Sequence, residues 1–245
     1  MGWMTLTPRR VSFPERPNNV EARIFLQPIA APSVLGYFAL GSALIVFGLW
    51  EAQVLGPTST AKSFFQFLLL FAGVGQFAAA MWSFKARDAV AASVHGVWGG
   101  FWLGFGLLWL MITAGSFPVP PLGATFEPFG QWFMYMGVIT LTIAFAALAR
   151  SPGQFVLLVI LAAGAALSAV GFITGSSFWQ VVAGWDFTAA AAGCFYTAAT
   201  YMVNTLYGMV ILPYLTWARE ENRIGARPTA PTEFPQGDPG VKVGQ

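Results

Sequence analysis

Gln76 and Asn204 sit deep within long apolar runs, and a carboxamide in such surroundings needs a hydrogen-bonding partner. Each either bridges helices or lines a path for a polar solute. Ser93, His95, Thr140, Thr142, Gln154, Ser168, Thr197, Thr200 and Tyr201 also stand within or at the edges of apolar runs. Hydroxyls of Ser and Thr commonly bond the preceding helical turn, so most of these carry less information. His95 is the single histidine, and no other side chain has an ordinary pKa near neutrality. It lies close to the start of its run and reads first as a hydrogen-bonded structural group, second as a proton relay. Glu51, Glu127 and Asp186 stand near the ends of runs, with Asp186 placed to cap the start of the last. No carboxylate or lysine falls at the middle of a run. That pattern is unlike a proton pump and suits passage of a small solute past donors and apolar constrictions.

Other chemistries lack their residues. One histidine and one cysteine cannot build a histidine metal cluster, a two-histidine haem site or a disulfide scaffold. No glycine-rich phosphate loop or nucleophilic triad is present, so no enzyme, metal or cofactor is expected. Cys194 reads as a small apolar packing residue.

These side chains need a membrane to make sense. Of 245 residues 56% are hydrophobic and 9% charged, against about 25% charged in a soluble domain. Mean hydropathy is +0.64. A soluble globule could not clothe its surface with so few charges, and a disordered chain would not be so apolar. The net charge of +2 gives no support for a nucleic-acid partner.

Six runs are long enough, at about 20 residues each, to cross a bilayer as helices. They cover 34–54, 63–84, 89–112, 129–149, 153–175 and 187–212. Stretches such as Phe64–Phe71 do not alternate as barrel strands do, which leaves helices. Arg9, Arg10, Arg16, Arg23, Lys85, Arg87, Arg150, Arg219, Arg223, Arg227 and Lys242 then fall on one side, and only Lys62 on the other. By the positive-inside rule both termini are cytoplasmic, in a multi-pass cell-membrane protein. Residues 1–32 form a cytoplasmic or interfacial segment, 33–213 the six-helix domain, and 214–245 a Pro- and Gly-rich tail expected to be disordered.

Small residues allow close helix contact in lipid. Gly96, Gly100 and Gly104 recur every four residues and predict a packing stripe on the third span, which Gly99 and Gly106 widen. Phe101, Trp102, Phe105 and Trp109 would then face lipid or a neighbouring subunit. Pro32 precedes the first span, Pro152 opens the fifth and Pro213 closes the sixth. Residues 116–127, with Pro118, Pro120 and Pro121, form the longest loop, expected as a cap at the outer mouth.

Three stretches together resemble the acetate uptake transporters, also called succinate–acetate permeases. Ala31-Pro32-Ser33-Val34-Leu35-Gly36-Tyr37 is similar to the family's N-P-x-P-L-G-L entrance motif, keeping Pro32, Leu35 and Gly36. Ala72 to Trp102 keeps Gly73, Gln76, Ala79, Gly99, Phe101 and Trp102 of G-G-x-x-Q … Y-G-x-F-W. Ala183-Gly184-Trp185, then Tyr196, Asn204, Gly208, Leu212 and Pro213, is similar to the family's last helix.

The resemblance implies six helices per protomer, a homohexameric ring and a pore through each protomer that passes acetate and related short carboxylates, succinate included, as a channel or by proton symport. It also implies a constriction made by a Phe, a Tyr and a Leu, whose positions here hold Leu40, Trp98 and Leu161. Leu161 matches the family. Leu40 and Trp98 depart from it, as do Ala31, Val34 and Ser83, where the family has Asn, Pro and Glu. Trp98 would offer an N–H donor suited to an anion. With no buried carboxylate, a coupled proton would travel on the substrate acid. Gln76 and Asn204 become polar positions on the substrate path. The alternatives are a channel for another small solute on the same scaffold, or a non-transporting membrane subunit.

Overall fold

The computed structural model describes residues 30–56, 64–86, 88–118 and 125–227. The described residues are helical and contain no strand. Helix α1 is Pro32–Glu51. A π-helical segment, Leu69–Val74, runs into α2, Gly75–Lys85. Then follow α3 (Ala89–Thr113), α4 (Glu127–Leu148), α5 (Pro152–Thr174), α6 (Ser177–Tyr207) and a single 3-10 turn, Arg219–Asn222. Four of these, α1, α3, α4 and α5, are long and apolar enough to cross a membrane.

Helix starts follow from local chemistry. Pro32 and Pro152 each occupy the first turn of their helix, where the missing N–H costs little. Ser151 Oγ accepts from Gln154 N at 3.1 Å, and Asp88 Oδ1 accepts from Ala91 N at 2.9 Å, capping α5 and α3. Gly175 and Gly208, both left-handed, end α5 and α6.

The last helix corrects the sequence reading. It begins ten residues earlier than 187 and ends at Tyr207 rather than near Pro213. Residues 177–186 mix Gln180 and Asp186 with exposed Phe178, Trp179 and Trp185, so their apolar signal is diluted although the helix continues. Asp186 therefore lies in the third turn of α6 and caps nothing.

The aromatic face of α3 is also reversed. Phe101, Trp102, Phe105 and Trp109 are buried within the protomer. They pack with Phe47 and Trp50 of α1, Phe129 and Phe133 of α4, Phe172 of α5 and Phe187 of α6. Ring pairs such as Phe47–Phe105 and Phe129–Phe133, with centroids 5.4 and 4.9 Å apart, meet edge to face. The closest backbone contacts of α3 fall at Gly99 and Gly106, and Gly104 of the stripe meets the Trp132 ring, 2.8 Å from where its Cβ would stand. A Cβ at Gly99 would lie 2.9 Å from Phe77 N, and one at Gly106 would lie 2.5 Å from Leu69 N. Gly100 has nothing within 4 Å. Lipid and core are equally apolar, so hydropathy alone cannot say which face of a span turns inward.

The segment after α6 is hydrogen-bonded as far as Ala226. Asn204 receives the N–H groups of Ile211 and Leu212 on its Oδ1, at 2.7 and 3.0 Å, and donates to Leu212 O at 2.7 Å. Tyr196 Oη donates to Pro213 O, while Gly153 N and Ser151 Oγ both donate to Leu215 O. Val210 pairs with Gly225 and Ala226 through backbone bonds, and Thr216, Glu221 and Asn222 bond one another. Residues 208–227 thus form a strap folded against the start of α5. Residues 1–29, residues 119–124 of the 116–127 loop and the tail beyond 227 lie outside the described residues.

Candidate functional site

Leu40 on α1, Trp98 on α3 and Leu161 on α5 come from three separate helices and are all fully buried in one apolar cluster. Trp98 Nε1 donates to Thr140 Oγ1 on α4 at 3.1 Å. The donor that the sequence offered to an anion is therefore engaged within the protein. Its ring contacts Phe101, Trp102 and Phe187, at centroid distances of 5.5, 6.1 and 6.4 Å.

One helical turn before Trp98 on α3 stands His95. It is wholly buried, and neither ring nitrogen has a hydrogen-bonding partner. Gly36 makes its place, since a Cβ there would fall on the imidazole ring. This gives the entrance-motif glycine a physical reason. Pro32 is buried as the first residue of α1, whereas Leu35 is 46% exposed and takes no part in the interior.

Tyr37, also on α1, meets His95 edge to face with centroids 5.0 Å apart. On its other side lies Tyr201 of α6, at 6.4 Å. Gln154 Nε2 donates to Tyr201 Oη at 2.5 Å, and the Tyr201 ring faces Tyr214 of the strap at 5.9 Å. A file of polar and aromatic groups thus leads from the strap through Tyr201 and Tyr37 to His95, one helical turn from Trp98. Burial raises the Tyr214 hydroxyl above its ordinary pKa, the Asn204 side chain partly opposing this, so it stays protonated at neutral pH.

Gln76 lies on the buried stripe of the second helical segment, with Phe65, Leu68, Ala72, Ala79 and Ser83. Its Cβ is 3.1 Å from where a Cβ on Gly99 would stand, and neither amide atom has a partner. Asn204 differs. Its bonds to residues 211 and 212 give it a structural task, tying α6 to the strap and not to another helix.

At the opposite end of α1, Glu51 is fully buried, with Ser168 Oγ 2.8 and 3.0 Å from its two carboxylate oxygens. The expectation of no buried carboxylate fails here. Glu51 escaped notice because it stands at the end of its run. Its burial arises from the neighbouring α1–α6 crossing, where a Cβ on Gly48 would lie 2.7 Å from Gly184 O. Near the strap end, Arg150 pairs with Asp88 at 3.1 Å and ties the α4–α5 junction to the start of α3. Among the described residues no group of three His, Cys, Asp or Glu side chains could hold a metal.

Residues 16–217 match the GPR1/FUN34/yaaH family. The succinate-acetate/proton symporter SatP of Escherichia coli K12 is 25% identical over 189 residues, covering 76% of this chain and 95% of that protein. A protein of Methanothermobacter thermautotrophicus without an assigned activity is 25% identical over 194 residues, covering 75% and 90%. The solved structure of the bacterial acetate channel SatP superposes with a TM-score of 0.67 at 23% identity, over 76% of this chain and 99% of the other. The likeness read from the three motifs is borne out, and the solved structure shows the same fold.

Proposed function

The chain belongs to the GPR1/FUN34/yaaH family, a family of transporters and channels and not of enzymes, and we propose that it carries acetate or similar short monocarboxylates across the cell membrane. In this reading six helices span the inner membrane, both termini are cytoplasmic, and six copies form a ring with one path through each. The observation that carries it is the file from Tyr201 through Tyr37 to His95, which supplies polar groups along the protomer interior close to the buried Leu40, Trp98 and Leu161. Leu40 and Leu161 act there as apolar gates beside Trp98. An ionised carboxylate is costly to dehydrate, so the unpartnered groups of His95 and Gln76 replace part of its water shell. Counterflow of labelled acetate in proteoliposomes, chased with a panel of unlabelled solutes, tests the reading. Exchange driven by acetate and propionate supports it. Exchange driven only by neutral solutes assigns the scaffold another cargo, and none by the folded ring leaves the subunit alternative.

Glu51 favours proton-coupled over purely channel-like passage. A buried carboxyl with a single hydroxyl partner is held at lower cost when protonated. Glu51 can then take up and release a proton as the adjoining helices α1 and α6 move, in addition to any proton carried on the substrate acid.

A further inference from the structure

The first turn of α5, the second half of α6 and the strap enclose a cavity of about 70 Å3. Its polar wall comes from Gln154, Thr200 and Tyr201, its apolar wall from Leu157 and Leu215, and Tyr214 closes one side. Thr200 is 2% exposed, and its hydroxyl has no partner, not even the carbonyl one turn back. Tyr201 Oη accepts from Gln154 Nε2, which leaves its own proton free to donate. Two hydroxyl donors on successive residues of one helix therefore border the same small space.

We propose that this cavity is a holding site for a two- or three-carbon monocarboxylate at the strap end of the path, with the Thr200 and Tyr201 hydroxyls donating to the carboxylate and Leu157 receiving its alkyl end. The proposal rests on the carboxylate-transport reading and adds a site to it. Hydroxyl donors suit an acceptor-only ligand, and the unsatisfied Thr200 hydroxyl gives the cavity a group whose burial a ligand would relieve. Size sets the class. Space of about 70 Å3 admits roughly two to five water-sized groups. Acetate has that bulk, and a four-carbon dicarboxylate exceeds it. The cavity holds no lysine or arginine among its lining residues, so binding is weak and release easy, as conduction requires. Tyr201 joins this space to Tyr37 and the interior, so a bound carboxylate stands next in line to the constriction.

Saturation-transfer NMR on the purified full-length protein, with acetate as the probe, reads binding without transport. The wild type is expected to give a saturable methyl signal that propionate displaces and succinate does not. Thr200→Val and Tyr201→Phe, both close in shape to the original, are expected each to weaken binding about tenfold, the worth of one hydrogen bond to a charged group. Thr200→Ser keeps the hydroxyl and keeps the signal. Leu157→Trp fills the cavity and abolishes the signal with both hydroxyls in place. Melting temperatures identify which variants are folded. Full signal in folded Thr200→Val and Leu157→Trp overturns the site. Absence of saturable signal from a wild type that takes up labelled acetate overturns the site and leaves the transport reading intact. Binding without uptake keeps the site and removes the transport reading. Neither binding nor uptake removes both.

Discussion

The indole Nε1 of Trp98 and the hydroxyl of Thr140 form a fully buried hydrogen bond of 3.1 Å between α3 and α4. It holds the large ring in the same buried apolar cluster as Leu40 and Leu161, so in the proposed constriction the position of the ring would depend on a pair that neither residue alone reveals. Thr140→Val removes the acceptor and leaves the indole N–H buried without a partner, at a cost of about 1–3 kcal/mol. The variant is expected to melt lower and to release the ring, and acetate uptake should become faster and less selective by size. A thermal-shift assay with parallel acetate and succinate uptake checks both parts.

Asp88 performs two tasks and Arg150 contributes to one of them. Asp88 caps α3 through Ala91 N and also pairs with Arg150. Asp88→Ala should therefore destabilise more than Arg150→Ala. The cap is worth about 1 kcal/mol, and the partly exposed pair at most about 1 kcal/mol. A double-mutant cycle on thermal or denaturant stability separates the two contributions. Equal losses from both single variants would leave the cap without weight.

Glycines on α3 divide by contact. Gly99→Ala forces a Cβ against the α2 backbone at Phe77 N, and overpacking of this kind costs about 1–3 kcal/mol. Gly100→Ala meets nothing within 4 Å and gains helix propensity, about 1 kcal/mol at most. The first should lower the melting temperature and the second leave it unchanged or raise it. The opposite order would make Gly100 and not Gly99 the packing position.

How far the sequence could be read is decided by this same ambiguity. Apolar runs located the helices well where flanking chemistry was clear, as at Pro32, Asp88 and Pro152. They could not orient Phe101 or Trp109, because a lipid-facing ring and a core ring have the same hydropathy. Gln76 was recognisable as buried by its depth in its run. Asn204 was equally deep, yet its partners are the backbone of residues 211 and 212, which fold back only after Gly208 turns the chain. No periodicity announces such a return. Gln154 and Tyr201 were each visible as polar residues in apolar runs, but their pairing, 47 residues apart in sequence, needed the packing of α5 on α6.

Asn204→Ala removes three hydrogen bonds and leaves two backbone N–H groups of the strap without acceptors. The strap should loosen from α5, and residues 208–227 should become susceptible to limited proteolysis. Asn204→Asp retains the acceptor and should protect the strap partly. Unchanged digestion of Asn204→Ala would show that Tyr196, Ser151 and Gly153 hold the strap by themselves.

Glu51→Gln keeps the shape and the contact with Ser168 while removing the titratable group. Uptake driven by an inward proton gradient should fall to the level seen without a gradient, and acetate exchange at equal pH should continue. A variant that responds to the gradient like the wild type would assign the proton to the substrate acid or remove coupling altogether.

In the proposed function a carboxylate path narrows at Trp98. Initial rates of labelled acetate uptake into proteoliposomes, compared between the wild type and Trp98→Ala over a range of acetate concentrations, test it most directly. The wild type is expected to show saturable uptake, and Trp98→Ala a higher maximal rate with new entry of succinate. Identical saturation curves and identical exclusion of succinate in two equally folded proteins would contradict it.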